Sequence, residues 1–255
     1  MKLTQSREVK IVNIVQKIRR AVILVSFLLF PITIYYFSPH LIIDGAANGI
    51  ITGSLIMFAV LFLISLVFGR AFCGWACPGA GIQEWCFSVN KKKSRGGKLN
   101  WIKYFIWVPW LIIILIAAIS AGGFHTVNPL YYTEHGISVS EPSAYIIYFS
   151  VVGIFVILSF TLGKRAVCHY VCWMAPFMII GTKIKNFFKW PSLHLEVAPD
   201  KCKQCKICDD NCPMSLEVSK MVKSGSIKSS ECILCGNCIC SCPNGVIKYS
   251  WGYRR

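Results

Sequence analysis

Four stretches of this chain, residues 21–37, 49–68, 104–121 and 144–162, contain no Lys, Arg, Asp or Glu. Each approaches the ~20 residues a helix needs to cross the hydrocarbon core of a bilayer. A chain of 255 residues is too short to wrap four such helices in a soluble shell. The pattern predicts an α-helical polytopic membrane protein with four transmembrane helices.

The charges orient it. The chain carries 27 Lys and Arg against 11 Asp and Glu. Basic residues crowd the N-terminal segment, the loop from Arg70 to Lys103 and everything after the fourth run. The segments 38–48 and 122–143 contain none. Positive charge collects on the cytoplasmic side, so both termini are expected in the cytoplasm of a multi-pass cell-membrane protein. The first apolar run has no small-residue cleavage site after it and reads as a retained span. Ile11, Ile14, Val15 and Ile18 share a helical face among basic residues, which predicts an amphipathic segment, 1–20, lying on the inner membrane surface. The cluster Lys91-Lys92-Lys93-Ser94-Arg95 reads as a lipid-headgroup anchor. Because these charges sit at membrane ends, nucleic acid is not an expected partner.

Beyond the membrane domain, 21–190, the composition changes. Residues 191–255 read Cys202-x2-Cys205-x2-Cys208-x3-Cys212-Pro and, thirty residues on, Cys232-x2-Cys235-x2-Cys238-x3-Cys242-Pro. A reducing cytoplasm disfavours disulfides. Structural zinc does not require two complete runs each ending in Cys-Pro. The spacing is that of a bacterial two-cluster ferredoxin, in which the fourth Cys of each run ligates the other cluster. Carried over, that rule assigns one [4Fe-4S] cluster to Cys202, Cys205, Cys208 and Cys242. The second goes to Cys232, Cys235, Cys238 and Cys212. Short strands at 194–197 and 246–249 and a helix at 215–222 complete an α+β ferredoxin domain. Cys240 and Cys86 read as packing residues.

A second duplication lies in the membrane domain. Arg70-Ala-Phe-Cys73-Gly-Trp-Ala-Cys77 aligns with Arg165-Ala-Val-Cys168-His-Tyr-Val-Cys172, ninety-five residues later. Each follows a predicted helical hairpin. Residues i and i+4 share a helix face, so two such pairs can present four thiols to one point, where repeats of membrane proteins often place a site. A third centre, iron–sulfur or copper, a redox-active dithiol and free structural thiols all remain open for Cys73, Cys77, Cys168 and Cys172. Arg70 and Arg165 would offset negative charge there, and His169 is expected to face away from the thiols and cap a helix end. Glu84 is either functional or an interfacial partner of Arg70 or a lysine. Residues 173–190 read as an interfacial helix. His40, Asp44, His125 and His135 are polar groups on the outer side and weak candidates for quinone contacts.

The stretch Gly69-Arg-Ala-Phe-Cys-Gly-Trp-Ala-Cys-Pro-Gly-Ala-Gly-Ile-Gln-Glu-Trp85, the second pair in Cys168-His-Tyr-Val-Cys172 and the two-cluster tail resemble the NapH/NosR/CcoG group of membrane polyferredoxins, from about residue 21 to 249, with NapH-type members nearest in size. The second pair departs from the first in that Trp-Met-Ala precedes its proline, Pro176. The resemblance implies electron transfer at the cytoplasmic membrane. NapH-type members are regarded as quinol dehydrogenase subunits, and CcoG-type members are linked to copper reduction. With no dinucleotide fingerprint and no haem-attachment motif in the chain, the expected function is a relay subunit of an oxidoreductase. It would pass electrons between cytoplasmic-side clusters and a membrane quinone or extracytoplasmic partner. The alternatives are a metal reductase or metal-centre assembly factor and a non-catalytic iron–sulfur sensor.

Overall fold

The computed structural model describes residues 2–90 and 92–253, with side chains from Asn13 onward. Lys91 of the predicted anchor cluster and the Ile11 side chain lie outside the described residues.

Helix α1, Lys2–Leu28, is continuous from the basic N-terminal segment into the first apolar run. The predicted amphipathic segment thus shares one helix with the start of the first apolar run. Nothing between Asn13 and Leu28 breaks the helix, and its buried stripe is Gln16, Arg19 and Ile23, while Ile14 and Ile18 are exposed. Pro31 ends the straight run. It sits in the first turn of α2, Phe30–Thr33, and the path bends by 60° between α1 and the segment Phe30–Phe37. A proline lacks the N–H that would continue the ladder and crowds the preceding turn. The carbonyls of Pro31 and Ile32 are taken up instead by the N–H groups of Val139 and Ser138, at 3.1 and 3.2 Å.

The second apolar run does not form one helix. Helix α3, Pro39–Ala47, capped by the Ser38 side chain, leads to Gly49, which adopts a φ of 66°. Strand β1, Ile50–Thr52, follows. Thr52 then caps α4, Gly53–Phe68, by accepting from the Leu55 N–H. The 16 residues of α4 rise about 24 Å, short of the ~30 Å hydrocarbon core. Strand pairing took the remainder of the run. β1 pairs in parallel with β2, Thr126–Asn128, across Ile50↔Thr126 to Thr52↔Asn128.

After α4 come two short helices, α5 Ala71–Trp75 and α6 Pro78–Val89. α7, Ile102–Ser120, extends a 3-10 turn at Gly97–Trp101. α8, Pro142–Leu162, leads to α9, Ala166–Tyr170, and α10, Met174–Phe188. Two helices, Gly97–Ser120 and Pro142–Leu162, are long and apolar enough to cross a membrane, and the bent first segment makes a third if taken as one span. Their outward faces are apolar; Ile119 and Ile146 are 69% and 71% exposed. Such a belt suits lipid rather than water.

The tail, which the spacing predicted, folds around β3, Ser192–Val197, antiparallel to β4, Ile247–Gly252, in the register Val197↔Ile247. Each cysteine run passes through a left-handed residue into a one-turn helix, Lys206 into α11, Ile207–Asp210, and Gly236 into α13, Asn237–Cys240. Gln204 and Leu234 repeat the correspondence, with φ of 54° and 49°. The predicted helix at 215–222 starts later, as α12, Val218–Lys223. The tail packs on the end of the helical domain opposite β1 and β2.

Candidate metal centres

Each tail run closes on the fourth cysteine of the other. Cys202, Cys205, Cys208 and Cys242 line one cavity with Pro243, and Cys212, Cys232, Cys235 and Cys238 line a second with Pro213. The donor sets are four soft thiols apiece, with no carboxylate or imidazole among the lining groups. These residues fit a four-iron cluster in each cavity.

The membrane-domain pairs meet at the same end of the molecule. Cys73, Cys168, Cys212, Cys235 and Cys238 belong to one buried core. Cys77, Cys168 and Cys172 face a separate apolar cleft of about 750 Å³. Neither pair is a single helical face. Cys73 lies on α5, but Cys77 precedes Pro78 in extended backbone, φ −68° and ψ 122°, and caps α6. A residue before proline is driven out of the helical region, so the i, i+4 geometry expected from spacing is broken by Pro78. The second pair breaks likewise between α9 and α10. The two turns that carry the pairs lie in one buried region, and Arg165 laces them together while Arg70 ties the first to the tail. Nη1 of Arg165 donates to the Cys73 carbonyl at 2.6 Å, and its Nη2 donates to Glu84. Nη1 of Arg70 donates to Glu231 of the tail at 2.5 Å. The Arg70 guanidinium lies among Cys73, Cys168 and Cys172. A buried cation beside these three thiols, hydrogen-bonding to Cys73, is suited to an anionic metal–thiolate group. Burial, then Cys168 and Cys73, push the free Cys172 thiol up to about 12. That is opposite to the lowered value a reactive dithiol needs. Among the described residues no three His, Cys, Asp or Glu side chains converge on a single-ion position.

The tail and membrane turns are in direct contact. A Cβ on Gly74 would stand 2.3 Å from the Ile233 carbonyl oxygen and 3.3 Å from the Cys235 nitrogen. Trp75 Nε1 donates to the Leu234 carbonyl at 3.0 Å and Gln16 Nε2 to the Cys235 carbonyl at 2.7 Å.

The 4Fe-4S binding domain model matches twice, over residues 50–96 and 143–191, so that each copy contains one membrane-domain pair. The 4Fe-4S dicluster domain matches residues 194–243. An uncharacterized protein of Methanocaldococcus jannaschii is 22% identical over 96% of this chain and 98% of its own length. The ferredoxin-type protein NapH of Haemophilus influenzae is 27% identical over 77% of this chain and 68% of its own. Protein RdxA of Cereibacter sphaeroides is 25% identical over 78% of this chain and 48% of its own. The chain thus carries two copies of a 4Fe-4S binding domain and a 4Fe-4S dicluster domain, and is similar along most of its length to ferredoxin-type electron transport proteins of the NapH kind. No solved structure matches it.

Several partners differ from those the spacing suggested. Glu84 pairs with Arg19 at 2.7 Å and with Arg165, rather than with Arg70. Burial works against its charge, but the two guanidiniums hold its carboxyl below the usual range. Glu231 binds both Arg70 and Lys103 at 2.5 Å. His169, as expected, turns from the thiols; its Nδ1 pairs with Asn100 Oδ1 at 3.0 Å. None of His40, Asp44, His125 and His135 lines the apolar cleft. Asp44 instead accepts from the Tyr131 hydroxyl at 2.8 Å. Besides the thiols and Trp173, the polar groups of the cleft include Tyr35, Ser38 and Gln83. Gln83 accepts from the Val167 N–H and reaches Cys168 Sγ at 3.4 Å. Gln16, Arg19, Glu231 and Met178 were missed by sequence reasoning. A charged or amide residue inside an amphipathic segment, and a glutamate just before a cysteine run, were the available signals.

Proposed function

We propose that this protein relays electrons between a two-cluster ferredoxin tail and a third iron–sulfur centre on Cys73, Cys77, Cys168 and Cys172. The third centre would exchange with a quinol in the apolar cleft. The observation that carries the reading is the contact of Gly74 with Ile233 and Cys235, which sets the turn of one membrane-domain pair directly against the turn of one tail run. Bound clusters supply one-electron storage. The chain's own residues supply the rest. Arg70 and Arg165 balance thiolate charge in a dry site. Gln83 braces Val167 beside Cys168. Phe30, Ile34, Val151 and Phe155 wall an apolar space that suits an isoprenoid-bearing ring. In this reading the chain spans the membrane four times, α4 with its flanking strand being the short span. Both termini and the tail are cytoplasmic, as the distribution of Lys and Arg requires.

Iron and acid-labile sulfide per chain, measured on anaerobically purified protein, test it. Wild type should hold about twelve irons, and a Cys73/Cys77/Cys168/Cys172 quadruple serine variant about eight. Equal iron in both removes the third iron centre. In a second arm, Val151→Trp fills the cleft. Reduction of the clusters by a soluble quinol should fall at least tenfold, while reduction by dithionite stays unchanged.

A second reading has one specific support. The Met178 thioether, fully buried, lies 3.5 Å from Cys73 Sγ, and thiolate with thioether is a soft set suited to Cu(I). It predicts copper in place of the excess iron, and the same metal analysis decides between them.

A further inference from the structure

The two halves of the tail repeat match in backbone but not in surroundings. Ile233, Leu234, Cys235 and Gly236 are buried beneath the membrane domain, whereas Lys203, Gln204, Cys205 and Lys206, thirty residues earlier, are exposed. Residue type follows burial. Where Glu231, Ile233 and Gly236 dock one run, the other carries Lys201, Lys203 and Lys206. Lys203 and Lys206 line the cavity of Cys202, Cys205, Cys208 and Cys242. The neighbouring carboxylates do not neutralise them all. Asp210 is paired with Lys93 at 2.8 Å, and Asp209, which accepts from the N–H and hydroxyl of Ser219 at 2.7 and 2.6 Å, keeps its charge, which leaves Asp200 and Asp209 against Lys201, Lys203 and Lys206.

We propose that this exposed loop is the docking face for an acidic one-electron carrier protein. Electrons then pass between the carrier and the Cys202/Cys205/Cys208/Cys242 site, and reach the membrane only through the buried second site. This rests on the relay reading above. In each transfer the reduced carrier loses one electron and the oxidised cluster gains it; no bond is made or broken. Ile207, 40% exposed, supplies an apolar centre to a cationic rim, the usual arrangement of a contact that steers a charged partner. A protein rather than a lipid surface is favoured because the loop has no aromatic residue. The exposed Trp85, Trp101, Phe187 and Phe188 lie on other elements, and interfacial belts are built from such rings.

The test uses the full chain, cluster-loaded, in nanodiscs of neutral phosphatidylcholine, with flavodoxin hydroquinone as the acidic carrier. The variant is Lys201→Glu/Lys203→Glu/Lys206→Asn, asparagine being chosen because residue 206 has a φ of 59° and Asn tolerates that region. Its milder companion is Lys203→Gln, and Lys220→Glu/Lys223→Glu on α12 is the control. Stopped-flow formation of flavodoxin semiquinone and interferometric binding are read at low and high salt. The expected result is an association rate constant at least tenfold lower at low salt in the triple variant, with its salt dependence flattened. Lys203→Gln should show a smaller loss in the same sense, and the control none. Wild type that does not bind, rates indifferent to the lysines, or an equal loss in the control overturns the proposal. So does a lysine effect seen only in nanodiscs of anionic phosphatidylglycerol, which would mark a lipid contact. Iron per chain and the reduced-cluster resonance spectrum separate the two readings. Missing clusters sink the relay itself, whereas intact clusters with lysine-independent rates sink only the docking face.

Discussion

Arg165, in the second membrane-domain repeat, donates to the carbonyl of Cys73, in the first, at 2.6 Å. The two turns that carry the cysteines are thus held together by a residue that also neutralises Glu84. Removing one partner of such a buried pair costs about 3–5 kcal/mol. Arg165→Ala should lower the thermal midpoint of the helical domain and release the membrane-domain iron while the tail keeps its own. Arg165→Lys keeps the charge but not the fork and should rescue stability only in part. Differential scanning fluorimetry with iron analysis reads both, and an unchanged iron content in Arg165→Ala would contradict the bracing role.

Glu84 carries a pH dependence. Burial raises its carboxyl, but Arg165 and Arg19 outweigh that and hold it below the usual range in the folded chain. A depressed folded value means the stabilisation is complete above the ordinary carboxylate range and is lost as pH falls through the folded value. The difference in thermal midpoint between wild type and Glu84→Gln should be full at neutral pH and shrink in acid. A difference that grows as pH falls would reverse the sign and refute the assignment.

Gly74 is a spacing residue. Its missing side chain lets the Ile233 carbonyl approach where a Cβ would stand 2.3 Å away. Gly74→Ala must therefore push backbone from backbone, and Gly74→Val more so. Both should keep tail iron while slowing electron equilibration between tail and membrane centres, seen as weakened magnetic coupling in pulsed resonance spectra. Unaltered coupling in Gly74→Val would show that the contact does not set the distance.

The crossed fourth cysteines give unequal variants. Cys242→Ser and Cys212→Ser should each lose about four irons. Cys212 is buried within the core shared with Cys73 and Cys168, whereas Cys242 is only partly buried at its edge and closes the exposed site. Cys212→Ser should therefore also raise amide exchange in residues 231–238 and α5, while Cys242→Ser should leave those amides protected. Equal protection in the two would argue against the inequivalence of the halves.

Much of this was legible in the order of residues. The two cysteine runs, their thirty-residue offset and the ninety-five-residue echo of Arg-Ala-x-Cys-x3-Cys are local patterns. Short loops tie such ligands to a cluster by chain length alone, so spacing suffices to read them. The charge-free runs are equally local, and two of them, 104–121 and 144–162, appear as helices close to the predicted bounds, while the first continues from α1 and bends at Pro31. The second was shortened by something the run itself does not contain, a parallel partner strand at Thr126–Asn128. Partner choice was the general blind spot. Glu84 meets Arg165 and Arg19, and Glu231 meets Arg70 and Lys103, across separations set by packing. Pro78 turned an expected helical face into two facing turns. The sequence by itself determined the two four-cysteine runs and their offset, because ligand spacing is written along the chain, and the crossed sets followed from the rule known for that spacing. Only the tertiary structure decided which set faces the membrane domain and which faces water, because a duplicated motif carries no label for the surface that will bury it.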